Sequence, residues 1–125
     1  MILIRADAST QIGVGHIMRC LTLADSLRNH GCDVIFMCQE LLGNLCDFLE
    51  EKEFQVCRIA VDYQKTESLL QSELSQIINI INQSKFIIDW LIIDHYKLDV
   101  EWESKIRPFV SKIMVIDDLA NRVHD

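Results

Sequence analysis

The chain has 125 residues, half of them hydrophobic, with 19 acidic against 12 basic side chains and a net charge of −7. A chain of this length buries roughly two thirds of the surface its unfolded form exposes, enough for one domain with one core and no disulfide or metal staple. The acidic balance and the lack of a basic cluster argue against nucleic acid or an anionic membrane surface as the main partner.

No apolar run approaches the ~20 residues that span a bilayer. The N-terminus enters a short strand interrupted by Arg5, without the hydrophobic segment of a secretion signal, so a cytoplasmic protein is expected. The five cysteines, Cys20, Cys32, Cys38, Cys46 and Cys57, are odd in number, form no Cys-x-x-Cys pair and mostly fall on apolar segments. Reduced core thiols are expected from that pattern rather than disulfides or a zinc site.

Ile2, Leu3 and Ile4 form an apolar run too short for a helix and suited to a buried parallel strand. From Ile17 the period lengthens. Ile17, Leu21, Ala24 and Leu27 recur at spacings of four and three, the stripe of a helix lying on a sheet, starting at His16 and stopped by Gly31. Residues 33–38 read as a second strand and residues 44–51 as a helix, whose Asp47, Glu50 and Glu51 make a solvated face. Residues 56–59 are a third strand and residues 62–65 a polar loop. Leu70, Leu74, Ile77 and Ile81 repeat at helical spacing over residues 67–83, with Ser68 and Gln71 placed for a capping box. Residues 90–93 are a continuous apolar strand that ends in Asp94-His95-Tyr96. Asp99 caps a helix predicted over residues 100–109, where Glu101 and Glu103 suit the positive end and Pro108 limits extension. The last strand, residues 113–116, ends in Asp117-Asp118.

Five alternations of strand and helix predict an α/β fold, a doubly wound parallel sheet with helices on both faces and the strand order 3-2-1-4-5. In such a sheet the loops after the strands gather along one edge, and ligands sit where the strand order reverses. That geometry would bring Asp7 to His16, Asp94 to Tyr96 and Asp117-Asp118 together. The plainer reading is that these acids only cap the turns and helices that follow them.

The run from Asp7 to Gly15 is too long for a tight turn, and Gly13 and Gly15 let its backbone pass close to another group. Gly13-Val14-Gly15 before a helix can cradle phosphate on free backbone N–H groups, or can be only a flexible turn. It is not a dinucleotide fingerprint, since Met18 stands three residues after Gly15, and it carries no Walker lysine. His16 at the mouth of the loop sits on a helix N-terminus, where the dipole favours the neutral imidazole that acts as a base; a structural histidine is the alternative.

Arg5-Ala6-Asp7-Ala8-Ser9, Ile12-Gly13-Val14-Gly15-His16 and Met18-Arg19-Cys20-Leu21 resemble the N-terminal signature of the PseG/SpsG-type nucleotide-sugar hydrolases of pseudaminic acid and spore coat polysaccharide biosynthesis. The likeness continues through Asp94-His95-Tyr96, Leu98-Asp99, Trp102-Glu103 and Ile116-Asp117-Asp118-Leu119-Ala120-Asn121-Arg122, and so covers nearly the whole chain. The resemblance implies one Rossmann-like domain of a two-domain, MurG-like GT-B fold, with the active site in the cleft between domains. It implies His16 as the residue that activates water and Tyr96 as a wall of the sugar pocket. Asp7, Ser9, Gly13, Gly15, Asp94, His95 and Asp117 are the other candidate substrate contacts. The implied substrate is a UDP-linked diacetamido-trideoxy-β-L-altropyranose, whose glycosyl C–O bond water cuts with inversion; no metal and no cofactor are implied. In that family a second, C-terminal domain supplies most uridine and diphosphate contacts, so the chain is expected to be an N-terminal domain that turns over little alone.

Three other classes remain open on the residues. A glycosyltransferase N-terminal domain shares this fold and glycine-loop-histidine arrangement. A metal-dependent phosphatase would use Asp7, Asp94, Asp117 and His95. A binding or response-regulator-like module would also show five strands with acids at their ends.

Overall fold

Continuous apolar runs such as Ile2–Ile4 and Leu91–Ile93 cannot leave one face to water, and the chain places them at the middle of a five-stranded sheet covered on both sides. The computed structural model describes residues 1–9, 13–59, 69–83, 88–94 and 100–116. The strands are β1 (Ile2–Ala6), β2 (Val34–Gln39), β3 (Gln55–Ile59), β4 (Trp90–Asp94) and β5 (Lys112–Val115). All pairings are parallel and the order is β3-β2-β1-β4-β5, the doubly wound, Rossmann-like arrangement that the alternation predicts. The central strand β1 sets Ile4 beside Phe36 on one side and Ile92 on the other, and Ala6 beside Asp94.

Alternation along the strands divides the interior into two cores. Ile2, Ile4 and Ala6 join Phe36 and Ile92 beneath α1 (Gly15–Asn29) and α2 (Cys46–Glu51), which contribute Ile17, Leu21, Ala24 and Leu49. Leu3, Ile35, Met37, Leu91 and Ile93 face the other way, under α3 (Leu69–Gln83) and α4 (Val100–Ile106), which contribute Leu74, Ile77, Ile81 and Ile106. Each such fully buried aliphatic side chain is worth about 1.5–3 kcal/mol relative to exposure. In the first core the Phe54 ring meets Phe36 edge-on at 5.3 Å, and the Arg28 guanidinium lies 3.9 Å over it.

Gly31 ends α1 as expected. Its φ of 86° lets its own N–H reach Arg28 O and that of Cys32 reach Leu27 O, closing the last turn. Two readings need correction. The helix expected over residues 100–109 stops at Ile106 and continues as a 3₁₀ turn, Arg107–Phe109, because Pro108 donates no N–H and its ring crowds the preceding turn. Glu103, near the start of that helix, is fully buried. Strand β1 also runs two residues further than its apolar signal, through a fully buried Arg5. No described helix is long and apolar enough to cross a membrane. Ser68 of the expected capping box, the 62–65 loop and Asp99 lie outside the described residues.

Candidate active site

The strand order reverses around β1, so the loop after β1 and the loop after β4 leave neighbouring strands while their helices cover opposite faces. At this carboxyl edge α1 begins. Residues three and four apart share a helix face, and His16, Arg19 and Cys20 use that spacing to converge on one side chain, Asp94, the last residue of β4. Nδ1 of His16 lies 2.5 Å from Asp94 Oδ1. Arg19 donates from Nε to Oδ2 and from Nη2 to Oδ1, both at 2.6 Å, and its Nη2 lies 3.5 Å from His16 Nδ1. The Cys20 thiol points at Oδ2 from 3.7 Å.

The carboxylate is fully buried and the imidazole nearly so, whereas the Arg19 side chain is 37% exposed. The cluster therefore opens to solvent along the arginine. Burial pushes the Cys20 thiol up to about 12, with the Asp94 charge and hydrogen bond adding to the rise, so this sulfur is a proton-bearing neighbour and not a nucleophile. A buried carboxylate that grips a histidine through one ring nitrogen fixes the orientation of the ring.

Asp7 has a different setting. Its two oxygens accept from Arg5 Nη1 at 2.7 Å and Nη2 at 3.0 Å, and Oδ1 also accepts the Gln39 N–H at 2.8 Å. Arg5 and Asp7 are both fully buried. Positions two apart along an extended chain point the same way, and here that spacing closes an internal ion pair which ties the end of β1 to the end of β2. Asp7 and Asp94, which the phosphatase reading would bring together, hold separate arginines. Among the described residues no group of three or more His, Cys, Asp or Glu side chains converges as a metal site.

The glycine loop is clasped at its base. Ser9 and Gly13 exchange backbone hydrogen bonds of 2.8 and 3.3 Å, with Gly13 at a φ of 85° that side chains rarely adopt. Gly15 is the first residue of α1, with open space where a Cβ would stand. Ser9 is buried beside the clasp. The candidates His95, Tyr96 and Asp117 lie outside the described residues. Arg19 and Cys20 were given no role by the sequence reading, although their spacing of three and four from His16 was the available signal. In the sequence reading Arg5 has a place in the N-terminal signature and as an interruption of the strand, and no partner.

A doubly wound sheet with a carboxylate-held histidine at its switch point defines a Rossmann-like α/β domain. No protein-family model matches the chain. The chain is 35% identical over 118 residues to the UDP-2,4-diacetamido-2,4,6-trideoxy-beta-L-altropyranose hydrolase of Campylobacter jejuni subsp. jejuni. That similarity takes in 94% of this chain and 36% of the hydrolase, so the chain spans little more than a third of the relative it matches. The likeness to nucleotide-sugar hydrolases read from the N-terminal motifs is thereby borne out.

Proposed function

We propose that this domain supplies the water-activating half of a UDP-sugar hydrolase, acting on a UDP-linked diacetamido-trideoxy sugar of pseudaminic acid biosynthesis. The observation that carries the reading is the contact between His16 and the buried Asp94 at the switch point of the sheet. The relative's activity gives the reaction class. In the proposed reaction the His16 imidazole takes a proton from water as the water oxygen bonds to the anomeric carbon. The C–O bond to the diphosphate breaks with inversion, and its electron pair leaves on UDP. A diphosphate is a good leaving group, so the domain chiefly holds base, water and sugar in line.

On this reading Asp94 holds the base instead of the sugar, and Asp7 is an internal tie. Ser9 and Gly13 shape the loop, while His95, Tyr96 and Asp117 remain the proposed sugar contacts. Most nucleotide contacts are proposed to come from sequence corresponding to the rest of the relative's length, in a second, GT-B type domain.

The test is His16→Ala in a protein that carries this domain and releases UDP from the UDP-sugar. Release should fall by ~10²–10⁴, the usual contribution of a general base, with the fold and the affinity for UDP preserved. Wild-type turnover by the variant would remove His16 from the chemistry, and an unfolded variant would make it structural.

A further inference from the structure

Resting on the reading of His16 as the base, we infer that Arg19 is a positioning residue which fixes the ring nitrogen that carries the proton. The argument begins with Asp94. A carboxylate without solvent stays ionised only against a compensating cation, and Arg19 is a permanent one, with two 2.6 Å bonds in the planar fork that matches a carboxylate. An ionised carboxylate only accepts hydrogen bonds. The His16 Nδ1 at 2.5 Å from Oδ1 must therefore carry the hydrogen and donate it. In the neutral ring this leaves the lone pair on Nε2, the nitrogen turned away from Asp94.

Loss of the Arg19 charge has two outlets, and both disarm the base. Asp94 can take a proton and donate it to Nδ1, which moves the ring hydrogen to Nε2. Alternatively the imidazole takes a proton and becomes the counter-ion of Asp94, again with a hydrogen on Nε2. Neither requires Arg19 to touch the substrate. The Cys20 thiol, held in its protonated form, donates toward Oδ2 and cannot replace the arginine charge. The spacing His16, Arg19, Cys20 thus reads as one device for keeping Asp94 an acceptor.

The experiment is ¹⁵N–¹H correlation spectroscopy of the His16 ring at neutral pH in the wild type, Arg19→Gln and Arg19→Lys, with kcat and KM for the UDP-sugar measured alongside. The expected wild-type spectrum has a hydrogen on Nδ1 and none on Nε2. Arg19→Gln should place a hydrogen on Nε2 and lower kcat by ~10²-fold or more, with KM changed only a few-fold. Arg19→Lys, which restores the charge without the fork, should recover the wild-type tautomer and part of kcat. A bare Nε2 in Arg19→Gln, or an Nε2 hydrogen in the neutral wild-type ring, overturns the inference. If Arg19→Gln does not fold, Arg19→Met decides: it keeps the apolar stem and removes the charge, so a hydrogen on Nε2 is expected, and a bare Nε2 there overturns the same claim. A two-domain protein carrying this domain that releases no UDP would sink the hydrolase reading and leave the spectra to judge Arg19 by themselves.

Discussion

Two fully buried carboxylates stand at neighbouring strand ends, Asp7 just past β1 and Asp94 closing β4, and each accepts two hydrogen bonds from an arginine. They differ in what else reaches them. The Asp7 pair is sealed, with Arg5 and Asp7 both fully buried and a backbone N–H of β2 also donating to the carboxylate. The Asp94 pair is open on one side through Arg19 and has an imidazole inserted on the other. The same two functional groups thus make a tie in one place and a site in the other. What marks the Asp94 pair is an imidazole in direct contact with the carboxylate and a route to solvent through Arg19.

The sharpest way to break the comparison is to neutralise each acid in turn. Asp7→Asn takes from the buried Arg5 guanidinium the carboxylate it grips, and breaking a sealed pair from one side costs about 3–5 kcal/mol of stability. Denaturant unfolding of the variant checks this. Asp94→Asn should cost clearly less stability, because a third of the Arg19 side chain already meets water and the guanidinium can turn outward. Its damage should fall on turnover instead. Equal losses of stability from the two substitutions would erase the distinction.

A smaller effect separates the two glycines of the loop that leads from one pair to the other. Gly13→Ala puts a side chain at a φ of 85° and should destabilise by about 1 kcal/mol, loosening the clasp to Ser9. Gly15→Ala lands in open space on the first turn of α1 and should be neutral, or stabilising by up to about 1 kcal/mol. Thermal melts of both variants would show it, and a larger loss at Gly15 than at Gly13 would contradict the loop geometry.

The strand order was legible because period alone separates runs such as Ile2–Ile4 from stripes such as Ile17–Leu27, and short crossovers leave few topologies. The convergence of His16 and Asp94 on one edge followed from that order. The contact between them did not, since it joins positions 78 residues apart and depends on which face of β4 Asp94 leaves. Arg19 was overlooked because a charged residue near a helix start reads as surface until a buried acid is seen beneath it. The inward turn of Arg5 was hidden for the opposite reason: an arginine within an apolar strand signals an end to the strand, unless the acid two places on is recognised as its partner. Pro108 shows the limit of periodic reading at helix ends, where one missing N–H turned the last residues of a predicted helix into a 3₁₀ turn.

The central claim is that His16 and Asp94 work as one base, and a double-mutant cycle on UDP release tests it most directly. Groups that act as a unit are lost together, so His16→Ala alone should cost about as much as His16→Ala with Asp94→Asn, each reducing turnover by ~10²–10⁴. That coincidence is the predicted result. Losses that multiply, with the double variant slower by the product of the two single factors, would mean that the two residues contribute independently and would contradict the account.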